Sequence, residues 1–329
     1  MTITRRTALA GMAAFGFMPQ MAAANGAYPH NRLTLIAPFD AGGSADRLAR
    51  AIAMFLGKEL GDIPVNVVNR SGGSGALGHS WFIRQPADGA TVLISPINPY
   101  LISHTLRGQA GLKWEDFHFV NGQWQDYYVV LTHKNQPYQS MAEVLLDAKE
   151  NPGKVSCGII PGDGGHLSAL ILLEKLGIPA DNINWVTYDG GGPMRTAIAG
   201  DQVTLTFVSA LGSDVIMDQV RPLAVYRESN DDERLWDCPP INEAIAELDV
   251  EVPVLAADLR CFTVHQAFKD EHPETYEMLV SAYQRMLERE DFKAYIAEAK
   301  IGGMWMGPDA TKESLEASYA IFEEYLDKL

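Results

Sequence analysis

The sequence predicts an α/β protein of two lobes, each lobe a mostly parallel sheet covered by helices. Three observations predict this fold class. Short β-rich runs alternate with helical patterns, the 329-residue chain exceeds the size of a comfortable single core, and glycine-rich turns repeatedly follow a strand and open a helix. Ligands of such sheets bind beyond the carboxyl ends of the strands, so we expect a cleft between the lobes.

The first lobe is predicted at residues 25–124 and 260–329, and the second at residues 125–259. The strands of the first lobe are expected at 33–37, 65–68 and 91–94, with helices at 44–60 and 76–84. The strands of the second lobe are expected at 128–131, 154–159, 184–188, 202–208 and 221–226, with helices at 140–150 and 167–176. A long strand at 252–264 should return the chain to the first lobe, where two amphipathic helices close it.

Residues 1–24 have the three regions of an export signal, in order. Arg5 and Arg6 precede a weakly apolar run at 8–18, which is too short to span a bilayer, and small residues follow at 22–24. The paired arginines favour the twin-arginine route, and the general secretory route stays open. We therefore expect a soluble monomer that is exported to the periplasm and not inserted in the membrane.

The charge balance excludes several partners. The chain has 26 basic and 42 acidic residues, a net charge of −16, and loss of Arg5 and Arg6 makes it more negative. Nucleic acid and anionic lipid are poor partners for such a field. The sequence contains no H-E-x-x-H, paired C-x-x-C or P-loop lysine pattern, so we expect no metal and no cofactor.

Three cysteines, at 157, 238 and 261, permit one disulfide at most. In an oxidising compartment, Cys238 and Cys261 are the pair we expect, and its loop closure is worth roughly 3 kcal/mol. The alternative is that all three are small buried apolar residues.

Four glycine-rich loops at 40–46, 69–75, 161–166 and 189–193 are candidate anion cradles. In the first, an apolar strand runs into Gly42 and Gly43 and then into a helix that begins with Ser44. Glycines let a ligand approach the backbone, and the first N–H groups of a helix have no intrahelical acceptor and carry the positive end of its dipole.

Two enzyme classes, a dinucleotide-dependent enzyme and a hydrolase, are alternatives to an anion-binding function of these loops. Gly73, Gly75 and Gly78 match the spacing of a dinucleotide-binding loop, but the next strand lacks the acid that would hold a ribose. Ser74 lies in a near match to the hydrolase G-x-S-x-G elbow, in which Ala76 replaces the last glycine. An exported ester hydrolase that uses Ser74 with His79 or His166 stays the alternative from another class.

The motifs at 28–46, 68–75, 86–93, 162–166 and 188–192 resemble those of the solute-binding proteins of tripartite tricarboxylate transporters, the Bug family. The resemblance covers most of the mature chain. It implies a two-lobed Venus flytrap fold of the periplasmic binding proteins, which closes on a small organic carboxylate and passes it to membrane transporter subunits. It implies no catalysis. A further alternative is an orphan sensor with the same binding fold, which reports its ligand to a membrane receptor.

The resemblance also implies the ligand-binding residues. From the first lobe these are Phe39, Asp40, Gly42, Gly43, Ser44, Asp46, Asn69, Gly72, Gly73, Ser74, Ser95 and Asn98. From the second lobe they are Gly162, Asp163, Gly165, His166, Tyr188, Asp189, Gly190 and Ser209.

Three of these residues are acidic where the family usually has another kind of residue: Asp40, Asp163 and Asp189. An acid close to a bound carboxylate repels it. We therefore expect a monoanion, or a solute that joins a carboxylate to a cationic group, over a tricarboxylate. The alternative is that these aspartates face solvent or cap their own helices.

Overall fold

The computed structural model describes residues 28–230, 236–254 and 258–326. These residues form two five-stranded sheets, each covered by helices, which confirms the predicted fold class. The proposed export signal at 1–24 lies outside the described residues.

The first sheet has the strand order β2-β1-β3-β10-β4. Its strands are β1 (Leu33–Ala37), β2 (Val65–Asn69), β3 (Thr91–Pro96), β4 (Phe117–Gln125) and β10 (Leu259–His265). Its helices are α1 (Ser44–Glu59), α2 (Ala76–Ile83), α3 (Ile102–Leu106), α8 (Gln266–Glu271), α9 (Pro273–Glu288), α10 (Glu290–Glu298) and α11 (Gly307–Glu324). We call this sheet and these helices the first lobe.

The second sheet has the order β7-β6-β8-β5-β9. Its strands are β5 (Tyr128–His133), β6 (Ser156–Ile159), β7 (Asn184–Thr187), β8 (Leu205–Ser209) and β9 (Val220–Val225). Its helices are α4 (Met141–Glu150), α5 (Gly164–Lys175), α6 (Gly191–Ala199) and α7 (Ile241–Ala244). We call these elements the second lobe.

Each sheet contains one strand that runs against its neighbours, and in both cases it is the strand that enters from the other lobe. β5 follows the first crossing and pairs antiparallel with β8 and β9. β10 follows the return crossing and pairs antiparallel with β3 and β4. The remaining strands of each sheet run parallel, so their carboxyl ends, and the loops that follow them, face the same edge.

The hydrophobic cores follow the predicted helix faces. Leu48, Ile52 and Leu56 of α1 are fully buried in the core of the first lobe, which also contains residues of α9. A separate small cluster joins the lobes, because Ile102 of α3 and Phe322 of α11 pack with residues of α5. Burial of aliphatic side chains of this size stabilises a fold by roughly 1.5–3 kcal/mol each.

Two expectations about the chain between the lobes were wrong. The returning strand begins at Leu259 and not at residue 252, and residues 251–254 form no regular structure. Cys238 and Cys261 are not bonded, and Cys157 is also free. Cys261 lies in β10 in the middle of the first sheet, whereas Cys238 packs against the second lobe, so the folding of the lobes keeps the two thiols apart.

Candidate functional site

A cavity of about 360 Å³ lies between the lobes and is lined by residues of both. This volume is typical of a site for a small molecule. The predicted site residues that line it are Phe39, Asp40, Gly42, Gly43, Ser44, Asp163, Asp189, Gly190 and Ser209. They come from three of the four glycine-rich loops and from the end of β8.

The start of α1 opens onto the cavity from the first lobe. Gly43 is the N-cap residue, and no side chain accepts a hydrogen bond from the first turn there. Gly42 has φ +84°, a conformation that favours glycine, and its N–H donates to Asp46 Oδ2 at 2.8 Å. Asp46 thus holds the loop through its hydrogen bond to Gly42, and the uncapped N-terminus of α1 faces the cavity.

The start of α6 opens onto the same cavity from the second lobe. Gly190 is its N-cap residue and also has no side-chain cap. The helices α4 and α5 differ, because Ser140 and Asp163 accept bonds from Glu143 N and His166 N in their own first turns. Two helices of opposite lobes therefore direct uncapped, positively polarised ends at one space.

Asp163 lines the cavity but is occupied by its own helix. Its Oδ1 accepts from His166 N at 2.7 Å, and the residue is 2% exposed. Burial raises the pKa of the Asp163 carboxyl well above its usual range. This is the helix-capping alternative that the sequence left open, and the protonated form is favoured in so dry an environment.

A buried arginine, Arg260 of β10, forms the floor of the cavity. Its Nε donates to Ser44 Oγ at 2.7 Å, and its Nη2 lies 3.4 Å from Asp258 Oδ2 and 3.5 Å from Asp126 Oδ2. Its guanidinium stacks on Trp124 at 4.6 Å. Within the described residues, Nη1 is buried and has no hydrogen-bond partner. Arg260 thus keeps its positive charge beside the cavity through two acids and one hydroxyl, and one of its donors stays buried and unused.

Asp258 is satisfied by neighbours other than Arg260 as well. Tyr128 donates to its Oδ1, and Ser209 Oγ donates to its Oδ2 at 2.9 Å. Burial raises the pKa of the Tyr128 and Tyr100 hydroxyls well above their usual range. Both phenols also line the cavity, and at neutral pH they keep their protons and are hydrogen-bond donors.

Two further arginines line the cavity, one from each lobe. Arg195 of α6 donates from Nε to Ser213 Oγ at 2.7 Å and from Nη2 to the carbonyls of Ser209 and Leu211. Burial lowers the pKa of its guanidinium; the charges of Asp126 and Asp258 oppose this shift, and those of Arg260 and Arg47 add to it. Arg195 keeps its proton, as arginine does throughout proteins. Arg47 of α1 donates from Nη2 to the carbonyl of Ala299.

The remaining predicted site residues lie outside the cavity lining: Asp46, Asn69, Gly72, Gly73, Ser74, Ser95, Asn98, Gly162, Gly165, His166 and Tyr188. Asn69 Nδ2, for example, donates to the carbonyl of Phe39 at 2.9 Å. A Cβ at Gly165 would lie 2.7 Å from the carbonyl oxygen of Phe207, so this glycine serves packing. The second glycine-rich loop contacts the other lobe, since Ser74 Oγ lies 3.4 Å from the carbonyl of Pro161.

The geometry does not favour the hydrolase alternative. His79 is fully buried and lies 2.8 Å from Ser95 Oγ and 3.1 Å from His104 Nδ1, and His166 Nδ1 accepts from Gly162 N at 3.4 Å. Neither histidine is hydrogen-bonded to Ser74 in the described residues, as a nucleophile and its base would be. Those residues also contain no group of three possible metal-ligating side chains. None of their helices has the length and hydropathy of a membrane span.

Sequence reasoning missed the charged residues Arg47, Arg195, Asp258 and Arg260. They lie beside or beyond the glycine motifs, and spacing alone does not show where they point. Arg260 carried a usable signal, because it lies between Leu259 and Cys261 and is the one arginine, lysine or acid of β10, and a charge at such a position must be paired or functional.

Two lobes that enclose a cavity, with helix starts of both directed into it, define a solute-binding protein. A model of the tripartite tricarboxylate transporter family receptor (TctC) matches residues 48–303, and the chain belongs to this family.

Two relatives agree with this assignment. BugT of Bordetella pertussis is 30% identical over 179 residues, which are 54% of each chain. A protein encoded in the tcbD-tcbE intergenic region of Pseudomonas sp. strain P51 is 26% identical over 242 residues. That match covers 68% of this chain and 66% of the relative, so the chain spans between half and two thirds of the length of these relatives.

Solved structures show the same fold. Rpa4515 of R. palustris, solved with adipate, is 26% identical, with a TM-score of 0.70 over 92% of this chain and 97% of that one. MatC of Rhodopseudomonas palustris, solved with bound malate, is 17% identical, with a TM-score of 0.73 over 90% of this chain and 99% of that one.

Proposed function

We propose that this chain is a periplasmic receptor that captures a small organic carboxylate and delivers it to the membrane subunits of a tripartite tricarboxylate-type transporter. The family supports the receptor role. The carboxylate class is supported by two structural neighbours, which were solved with adipate and with malate. The proposed export signal at 1–24 supports the compartment.

One observation carries the ligand class. The uncapped first turns of α1 and α6, from opposite lobes, open onto one cavity that Arg47, Arg195 and Arg260 also line. These groups are all donors with positive polarisation, and carboxylate oxygens are their natural acceptors.

Within carboxylates, we propose a monoanion or a solute that pairs a carboxylate with a cationic group. The lining contains four aspartates and three arginines, and Arg260 is already balanced by Asp126 and Asp258. Asp40 and Asp189 are exposed at the rim. Three carboxylates in a cavity of about 360 Å³ would find too little uncompensated positive charge.

The test is a thermal-shift and calorimetric screen of malate, adipate, citrate, glutamate and glycine betaine. A solute at about 100 times its Kd should stabilise the fold by roughly 2.7 kcal/mol, which raises Tm by several degrees. Citrate should bind more weakly than the best monoanion or zwitterion. If none of the carboxylates shifts Tm, the proposed ligand class is wrong.

A matched pair of variants locates the site. In Gly43→Val a branched side chain would cover the start of α1, and we expect binding to be lost. Gly200→Val is the control, because both glycines have negative φ and a Cβ at either would lie 3.3 Å from a backbone carbonyl oxygen, but Gly200 ends α6 outside the cavity. Equal affinity of the two folded variants would show that the first loop is only a turn.

Co-purification of the ligand-loaded protein with candidate transporter subunits separates delivery from a sensor role. Association with transporter subunits, and not with a signalling receptor, is the expected result.

A further inference from the structure

Two guanidinium groups of opposite lobes converge on one point of the cavity. A Cβ at Gly212 would lie 3.6 Å from Arg47 Nη1 and 3.9 Å from Arg195 Nη2. Arg47 is carried by α1 of the first lobe and Arg195 by α6 of the second. Gly212 itself follows β8 and has φ +83°. The two cations therefore meet across the cleft, and all three residues line the cavity.

Each arginine is held in place by backbone and hydroxyl acceptors, and not by a carboxylate. Arg195 is fixed through Nε and Nη2 by Ser213, Ser209 and Leu211, and Arg47 through Nη2 by Ala299. In the described parts of the chain, neither side chain forms a salt bridge, and neither Nη1 has a hydrogen-bond partner. Their positions are thus fixed, while their charges are not neutralised by contact.

Arg260 differs from this pair in the way that matters for a ligand. It lies between Asp126 and Asp258, at 3.5 and 3.4 Å, so most of its charge is balanced within the protein. Among the described residues, the arginines of the cavity that no carboxylate contacts are instead Arg47 and Arg195. Like charges brought together from two lobes oppose closure until an anion lies between them.

We propose that Arg47 and Arg195 form an inter-lobe clamp that holds the acidic group of the solute, so that this group draws the two lobes together. The proposal rests on the proposed function and deepens it. It names two specificity-determining residues outside the glycine-rich loops, and it requires an acidic group that can accept from donors on both of its sides. Planar carboxylates bind guanidinium groups in this way.

Single substitutions test the clamp. Arg47→Gln and Arg195→Gln should each weaken binding of the best carboxylate of the screen by about 10- to 100-fold. Lys58→Gln, on the exposed end of α1, and Lys149→Gln, on α4, remove the same charge outside the cavity and should bind as the parent does. In a double-mutant cycle, the second substitution should cost less than the first, because one acidic group serves both arginines.

Two further measurements keep the result decisive. The primary amide of the same solute should bind weakly to the parent protein and should lose nothing further in the variants. Small-angle scattering should show that the solute compacts the parent but not the variants. If Arg195→Gln is destabilised without ligand, Arg195→Lys, which retains the charge, should recover part of the affinity, and Arg47→Gln carries the test.

Sulfate separates the clamp from the proposed function. Sulfate stabilises folded proteins in general, so at constant ionic strength sulfate in place of chloride should raise Tm of the parent by more than it raises Tm of Arg47→Gln. If sulfate behaves so and no carboxylate binds, the anion clamp stands and the proposed solute class fails. If a carboxylate binds both glutamine variants within threefold of the parent, the clamp is wrong and the receptor function stands. If neither anion acts on the parent, both proposals fail.

Discussion

Replacing Arg260 by methionine should destabilise the protein strongly. Arg260 is 2% exposed and lies within 3.5 Å of carboxylate oxygens of Asp126 and Asp258, and both acids are buried. Methionine keeps an apolar stem against the Trp124 ring but removes the positive charge. Removing one partner from a buried ion pair costs about 3–5 kcal/mol, because the remaining charge stays in a poorly solvating environment.

The loss should depend on pH in a defined direction. Burial raises the pKa of Asp126 to about 6, and Arg260 opposes this rise. Without Arg260 the folded-state pKa rises further, so Asp126 binds its proton more tightly in the folded than in the unfolded chain. Such a group stabilises the fold at low pH, and this contribution is lost as pH rises through the folded pKa. The deficit of Arg260→Met should therefore reach about 3 kcal/mol at pH 8 and be smaller by at least about 1 kcal/mol at pH 5.5.

Denaturant unfolding of both proteins at pH 5.5 and pH 8 measures this deficit, and Tm at pH 8 should fall by at least about 6 °C. The control adds Asp126→Asn to Arg260→Met. Asparagine can still accept from Leu211 N and Tyr127 N but does not titrate, so this double variant should lose the extra pH dependence. An equal deficit at both pH values, or a larger one at pH 5.5, would refute the account of Asp126.

Three further predictions concern residues that the sequence singled out. Asp163→Ala removes the cap of α5 and should lower the free energy of unfolding by about 1 kcal/mol. Asp163→Asn should keep this cap and be at least as stable as the parent at pH 8, because asparagine does not ionise in the buried site. Equal losses of the two variants in denaturant unfolding would contradict this prediction. Ser74→Ala should leave carboxylate affinity within about threefold and reveal no esterase activity in either protein, and an ester turnover that this change abolishes would restore the hydrolase hypothesis. Asp189 is exposed at the rim, so Asp189→Asn should raise the association rate for a carboxylate at low ionic strength more than it changes the dissociation rate. Stopped-flow binding measures both rates. An effect confined to the dissociation rate would show that Asp189 lies against the bound solute.

The local elements were predictable from the sequence because their signals are local. The double glycine at 42 and 43, the following serine and the spacing of Leu48 and Ile52 identify the end of β1 and the start of α1 without knowledge of the rest of the chain. The strand β4 was not predicted. Its partner β10 lies far along the chain, and its polar Asn121 and Gln123 are buried through bonds to residues that follow α10.

Unlike Arg260, the arginines Arg47 and Arg195 could not be predicted from the sequence, for a physical reason. Whether a side chain faces a cleft depends on the long-range packing that closes the lobes, and Arg47 and Arg195 reach one point only because α1 and α6 begin on opposite walls. The periodicity of apolar residues identifies the face of a helix that packs against its own sheet. It does not show which arginine outside that face will lie near an arginine of the other lobe.

The three acids predicted in the loops, Asp40, Asp163 and Asp189, all line the cavity, but they do not act on a solute in the same way. Asp163 uses its carboxyl to cap α5, and burial raises the pKa of this carboxyl, so its role is in the helix and not against the solute. Asp40 and Asp189 are exposed at the rim, where water screens them and where they act mainly on an approaching anion. Asp126 and Asp258 affect the charge of the cavity in another way, because both lie against Arg260 and balance its positive charge. The proposed preference for few negative charges therefore rests on how much positive charge no carboxylate balances, and not on direct repulsion by the acids of the loops.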